Sequence, residues 1–374
     1  MKSLSIQQLL VIFIISLTIT AAGSAQTTDD VLGILVSKQV ITKNEADSIR
    51  TAAAEKAKKD KAPKFNLTSG KALSLGGYSQ FRYQAFQEGD ISKKDALDLR
   101  RIRLDFKGII ASDWDFRLQL DFATAPKLID AYVNYTLNDQ LKVTVGQAKI
   151  PFSYENLAAD DRFETIERSQ VVEALVARSK DPIGNQNGRD IGVLVGGSAF
   201  QVNGLNLIDY TLGVFNGQGF NIAVDSNKAK DFAGRLILHP VKGLDFGGSY
   251  YNGFDVISKK NTVRSRLGFE LKYVLDDLTV ISEFIRGRDG IVDRNGWYAA
   301  VAYTIIPRKL QPVLKYDTYN SDINKTNLKT SAYLIGANYW FNDWIRIQLN
   351  YTIKTEKAKE IRNDVAAAQL QIVF

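Results

Sequence analysis

The sequence predicts an all-β fold, a transmembrane antiparallel β-barrel of about 16 strands with a short N-terminal helical segment ahead of it. Three observations carry that prediction. From Leu73 onward apolar and charged residues alternate with a period of two, tight turns punctuate every second connection, and the chain ends on an apolar face closed by Phe374.

The first residues read as an export signal: Lys2 supplies positive charge, Leu9 to Ile19 is apolar, and Gly23-Ser24-Ala25 is a small-residue cleavage site before Gln26. Residues 1–25 are therefore expected to be removed. The apolar run is too short to span a bilayer, which takes about 20 residues, and no later stretch is long and apolar enough to cross as a helix.

Residues 26–63 are expected to form a periplasmic helical segment. Thr42-Lys-Asn-Glu45 has the spacing of a capping box, in which each side chain satisfies the other residue's exposed backbone donor. Ala52 to Lys61 continues as a polar, alanine-rich helix or tail. The apolar face of the segment is small, which suits either a helical hairpin or the stem of an oligomer, and Pro63 marks the boundary before a barrel over 64–374.

Within the barrel, Ile102, Leu104 and Phe106 alternate with Arg101, Arg103, Asp105 and Lys107. Trp114, Phe116, Leu118, Leu120 and Phe122 alternate with Asp115, Arg117, Gln119 and Asp121, and the same pattern runs through Ile345 to Lys354. The alternation predicts strands at 72–86, 97–110, 113–123, 128–138, 141–150, 189–198, 204–216 and 228–239. A second half follows at 243–254, 262–275, 277–287, 294–306, 308–319, 328–341, 343–357 and 362–374.

Tight turns are expected at Ser112-Asp113, Asn138-Asp139, Asn203-Gly204, Lys242-Gly243, Asp276-Asp277, Pro307-Arg308 and Asn342-Asp343, with the alternate connections mostly longer. With both termini periplasmic, the tight turns share that side and the longer loops face outward. One connection stands apart. Residues 151–187, with a helix-like stretch from Phe163 to Ala177, are expected to fold into the lumen as a constriction.

Strands with one apolar face are stable in hydrocarbon only when closure pairs every backbone donor. A barrel this wide cannot be filled by its own side chains, so its charged inner face is expected to border water as a channel. Trp114, Trp340 and Trp344 beside periplasmic turns and Trp297 near the outer rim suit interface girdles. Ala366, Ala368, Leu370, Ile372 and Phe374 form an outward face whose aromatic end looks like a signal for the barrel assembly machinery.

Composition excludes other classes. Hydrophobic residues make up 45% and charged residues 24%, so pattern rather than bulk composition decides the class. The net charge of +7 is spread among acidic residues with no concentrated basic face, so no nucleic-acid partner is expected. The absence of cysteine removes disulfides, thiolate metal sites and a cysteine nucleophile. The single histidine, His239, precedes Pro240 in an expected turn, and with no metal cluster or phosphate-cradling loop, neither an enzyme nor a cofactor is expected.

The candidate functional residues are basic and inward. In the strand from Leu97 the apolar parity switches between Leu99 and Ile102, and a bulge near Arg100-Arg101 restores it while turning both arginines inward beside Arg103. Parity places Arg82, Arg117, Arg235, Arg264, Arg266, Lys315 and Arg346 inward too. A guanidinium stays charged and matches a phosphate or carboxylate edge, so a track of them can replace part of an anion's hydration shell. The alternative is a nonspecific wall in which these arginines pair with Asp98, Asp105, Asp121, Glu270 and other inward carboxylates.

Several motifs carry a resemblance: Leu99-Arg-Arg-Ile-Arg-Leu104, Asp113-Trp-Asp-Phe-Arg-Leu-Gln-Leu-Asp-Phe-Ala123, Ile129-Asp-Ala-Tyr132, Val145-Gly-Gln-Ala-Lys-Ile-Pro-Phe152, Ile166-Glu-Arg-Ser169 and Gly188-Arg-Asp-Ile-Gly-Val193. In order and spacing they resemble the phosphate-selective porin O and P family over nearly all of the barrel. The resemblance implies a trimeric outer-membrane porin of a Gram-negative bacterium with an infolded third loop, no cofactor, and small anions such as phosphate as its solutes. It also implies that Arg100 and Arg101 lie on an arginine ladder, with Arg264 and Arg266 as later rungs. A general nonspecific porin and a barrel serving as an anchor are the competing functions.

Overall fold

The computed structural model describes residues 32, 36–38, 42, 45–46, 64–68, 71–89, 94–176, 188–225, 227–257 and 260–374. The chain divides into two compact units, Met1–Ala62 and Pro63–Phe374. In the first, the Thr42 N–H donates to Glu45 Oε2 at 2.8 Å and the Glu45 N–H to Thr42 Oγ1 at 3.3 Å, the reciprocal cap that the spacing predicts. The export signal and the stretch from Ala52 to Lys61 lie outside the described residues.

The second unit is a barrel of strands β1 (Lys64–Thr68), β2 (Lys71–Phe86), β3 (Ala96–Ala111), β4 (Trp114–Asp121), β5 (Lys127–Asn138), β6 (Leu141–Lys149), β7 (Arg189–Val202), β8 (Leu205–Phe215) and β9 (Asp231–Val241). It continues through β10 (Leu244–Ile257), β11 (Lys260–Leu275), β12 (Leu278–Asp289), β13 (Val292–Tyr303), β14 (Leu310–Asn320), β15 (Lys329–Trp340), β16 (Ile345–Glu356) and β17 (Val365–Val373). Each strand from β2 to β17 pairs antiparallel with its chain neighbour, and β17 returns to β2, closing a 16-strand barrel without a free edge. Every expected strand is present.

Closure is made at Gly77. Its N–H donates to the Phe374 carbonyl at 2.8 Å and the Phe374 N–H returns to Gly77 at 3.0 Å. A Cβ on Gly77 would lie 2.9 Å from the Phe374 ring and 2.2 Å from the Arg103 carbonyl, so only glycine lets the last residue seat here. Strand β1, which the alternation did not predict, pairs with β2 from Lys71 to Ser74, beyond that seam.

The tight turns also fall where expected. Asn203 and Gly204, both with positive φ (50° and 78°), make a two-residue hairpin whose twist matches its strands. The other side is less uniform than predicted, because β10–β11 and β12–β13 join through 258–259 and 290–291. The outer wall is apolar, with Leu99, Leu118, Leu236, Phe269, Ile335 and Ile353 exposed. Trp297, Tyr316 and Tyr333 form a row along it, with successive centroids 5.0 Å apart and ring planes tilted by 54° and 52°. Trp340 departs from the expected girdle: it faces the lumen beneath the Arg346 guanidinium, 5.8 Å from its ring.

Between β6 and β7 the described residues 150–176 run along the inner wall. They contain helix α1 (Tyr154–Leu157), a 310 turn at Asp160–Arg162 and helix α2 (Gln170–Leu175). Among the described residues of the helix-like stretch from Phe163 to Ala177, only α2 is helical; Ala177 lies outside them. Upstream, the Phe163 and Glu164 carbonyls accept from wall amides and the Ile166 N–H donates to Asn350, in place of an i→i−4 ladder. The apolar core lies inside the barrel, where Val171, Val172 and Leu175 pack with Ile281, Ile285 and Tyr298. That apolar inner patch is a second departure from a wholly charged, water-facing lumen, and it exists because an apolar helix covers it.

Candidate functional site: the arginine stripe and the infolded segment

The register of β2 against β3 pairs Gln80 with Arg101 and Phe81 with Leu99, so Arg100 is the extra residue of a bulge. The bulge turns Arg100 and Arg101 inward together, next to Arg103 and, across the ladder, Arg82. The infolded segment meets this stripe with two carboxylates. Asp160 Oδ2 lies 2.5 Å from Arg103 Nη1 and 3.4 Å from Arg101 Nε, and its Oδ1 accepts from Arg168. Glu167 accepts from Arg100 at 2.8 Å and from Arg82.

The electrostatics follow from that geometry. Burial alone would raise the Asp160 carboxyl, but Arg101, Arg168 and Arg103 outweigh it and hold the group well below the ordinary carboxylate range. Desolvation likewise opposes ionisation of Glu167, and Arg100 and Arg82 reverse it, holding that group at about 2. Glu164 goes the other way: with burial dominant and Arg346 only partly compensating, its carboxyl is raised.

A row of wall amides holds the same segment by its backbone. Gln80 donates to the Asp160 carbonyl at 3.2 Å, Gln371 to Asp161 at 3.0 Å, Gln348 to Phe163 at 3.1 Å and Asn338 to Glu164 at 2.9 Å. Asn350 accepts from the Ile166 N–H at 2.8 Å. These residues stand on β2, β17, β16 and β15, neighbouring strands, so the wall reads successive peptide units. At α1, Glu283 accepts from the N–H groups of Tyr154 (2.9 Å) and Glu155 (2.8 Å) and from the Tyr298 hydroxyl (2.6 Å).

The remaining candidates are placed apart. Arg346 donates to the Asp161 carbonyl at 2.8 Å and to Gln371 at 3.1 Å, next to the stripe. Lys315 lies under α1, 2.7 Å from Glu155. On the β11 wall, Arg264 pairs with Asp231 at 3.1 Å and Arg266 with Asp289 at 2.7 Å, while Arg266 also donates to the Leu175 carbonyl. The structure therefore brings together Arg82, Arg100, Arg101 and Arg103 and leaves the β11 pair in separate clusters.

A continuous arginine track bordering water is not what these positions form. The side chains of Arg101, Arg103, Arg264 and Arg266 are 2–6% exposed, and charges so buried must be paired. The pairings anticipated for a mixed wall are present: Arg82 with Asp98, Arg117 with Asp105, Arg103 with Asp121, and Arg235 with Glu270. Open space lies at the tight-turn end, where a cavity of about 530 Å³ is lined by Ser74, Lys107, Asp115, Arg117, Tyr132 and Lys142.

His239 sits at the end of β9 rather than in a turn. Asp245 lies 2.7 Å from its Nδ1 and Asp209 3.1 Å from its Nε2. Ser198 donates to Asp209 at 2.5 Å and not to the imidazole, so no serine–histidine pair forms there.

Solved structures share this architecture. An anion-selective porin from Comamonas acidovorans superposes with a TM-score of 0.65 at 13% identity, over 81% of this chain and 100% of that one. The outer membrane channel DcaP of Acinetobacter baumannii gives 0.56 at 15% identity, over 83% and 99%. OmpT of Vibrio cholerae in its trimer form gives 0.57 at 9% identity, over 82% and 100%. At such identities the likeness establishes the fold alone. No curated protein sequence gives a significant match. The family model described as phosphate-selective porin O and P matches residues 74–252 and 260–374, nearly all of the closed barrel, and the chain belongs to that family.

Proposed function

We propose that this outer-membrane porin passes small anions, phosphate and related oxyanions among them, by passive diffusion past the basic stripe of β2 and β3. The observation that carries this reading is the bulge at Arg100, which turns Arg100 and Arg101 inward together and sets them beside Arg103. Lys107, Arg117 and Lys142 continue the basic wall toward the tight-turn end. A positive lining of moderate strength attracts anions without trapping them. The structurally similar Comamonas porin, which is anion-selective, points the same way.

A general porin is the second reading, favoured by the carboxylates that pair with Arg82, Arg103, Arg117 and Arg235. Assembly as a trimer, by analogy with the trimeric Vibrio protein, belongs to the same proposal. So do export through an N-terminal signal and recognition of Phe374 by the assembly machinery.

Reconstitution in planar bilayers tests the proposal. The expected zero-current potential across a chloride gradient is that of an anion-selective pore, with current reduced by added phosphate and both effects weakened in Arg100→Ala. Cation selectivity, or no selectivity without phosphate block, leaves the general porin.

A further inference from the structure

The infolded segment presents its two arginine-bound carboxylates at different depths. Asp160 is enclosed, its side chain 1% exposed among Arg101, Arg103 and Arg168. Glu167 is 39% exposed and bridges Arg100, itself 28% exposed, and Arg82. Arg82 has a second partner in Asp98, at 3.1 Å from Nε and 2.5 Å from Nη2. Among the described residues, Glu167 is the sole ion partner of Arg100, whose Nε finds no hydrogen-bond acceptor there. Arg100 is thus the least committed guanidinium of the stripe, and one carboxylate covers it.

A guanidinium engages a carboxylate and an oxyanion edge through the same donors. A solute oxyanion approaching Arg100 therefore competes with Glu167. The competitor is tethered, so its effective concentration at Arg100 is of millimolar order or above, and a dilute solute cannot hold the site for long. We propose that Glu167 is a specificity-determining residue of the pore, an internal counterion that keeps Arg100 from acting as a trap for oxyanions. Asp160 is the buried anchor that sets Glu167 in place. The proposal rests on the anion-pathway reading of the basic stripe, but its test is a difference between variants and does not require wild-type selectivity.

The test uses the full-length protein in planar bilayers with inorganic phosphate as the probe. Glu167→Gln is expected to raise the anion-to-cation permeability ratio and to lower the half-blocking phosphate concentration by about tenfold, the value of one charge-assisted hydrogen bond regained by the solute. In Glu167→Gln/Arg100→Ala the gain is expected to vanish. Because the chain has no cysteine, Glu167→Cys gives a second reading within a single open channel. A negatively charged thiol reagent is expected to return phosphate block toward wild type and a neutral one to leave it enhanced. Equal block and selectivity in wild type and Glu167→Gln, with no difference between the two reagents, overturns the proposal. A wild-type pore without anion selectivity whose block still responds to Glu167 overturns the anion-porin reading and leaves this one standing.

Discussion

Gln348 donates its amide to the Phe163 carbonyl at 3.1 Å, which ties a strand of the membrane wall to the backbone of the infolded segment. The same side chain is tied to its own neighbours: its amide also reaches Asn338 at 2.9 Å, and its oxygen accepts from Gln369 at 2.8 Å. Replacing it with leucine keeps the volume and leaves several buried polar groups unpaired. Each such group costs about 1–3 kcal/mol. Gln348→Leu is expected to form barrels of lowered thermal stability whose open current is noisier than wild type. Quiet channels with an unchanged melting temperature would show that the amide row does not position the segment.

Asp160 is the one carboxylate shared by Arg101, Arg103 and Arg168; without it Arg101 and Arg168 stay buried with no ion partner among the described residues, and Arg103 keeps only Asp121. Breaking a buried pair from one side costs about 3–5 kcal/mol. Asp160→Ala is therefore expected to destabilise the refolded barrel by that order, measured by urea unfolding, and far more than Asp98→Ala, whose carboxylate is 42% exposed. Equal losses in the two variants would contradict the buried-anchor role.

The strands were legible because one apolar and one charged face repeat at period two over long stretches, and the parity switch between Leu99 and Ile102 located the bulge at Arg100. Strand β1 was missed because five residues next to Pro63 give too short an alternation to stand apart from coil. The partners of the arginines were harder to read. Parity says that Gln80, Gln348 and Gln371 face inward, yet their acceptors are backbone carbonyls of a distant segment, and carbonyls leave no mark on residue identity. Asp160 and Glu167 lay in a stretch whose path through the lumen no local pattern encodes. The helix expected from Phe163 shrank for the same reason, since the wall amides compete for the carbonyls a helix would use.

Gly296 is the floor on which α2 rests. A Cβ there would lie 2.8 Å from the Val171 side chain and 2.4 Å from the Thr318 carbonyl. Overpacking of this kind typically costs about 1–3 kcal/mol. Gly296→Val is expected to lift α2 from the wall, seen as faster hydrogen exchange at Val172 to Leu175 while the amides of β3 and β4 keep their protection. Unaltered exchange in α2 would mean that the wall yields instead of the helix.

The carboxyls of the infolded segment are shifted in opposite directions, which separates their effects by pH. Glu167 titrates at about 2 against an ordinary 4.5, so its pairing with Arg100 and Arg82 stabilises fully above 4.5 and is lost only as the pH falls through about 2. Asp160, held well below its ordinary 3.8, behaves alike. Glu164 has the reverse sign: burial raises it above 4.5, so its charge opposes folding at neutral pH and is relieved as the pH falls through that raised value. On acidification from neutral toward the ordinary glutamate range, Glu164 takes up its proton while the arginine-bound pair stays ionised. The lumen then gains positive charge beside Arg346, and the anion-to-cation permeability ratio is expected to rise, with Glu164→Gln showing the raised ratio at neutral pH and a smaller response over the same interval. A variant that still responds like wild type would place the titrating group elsewhere in the lumen.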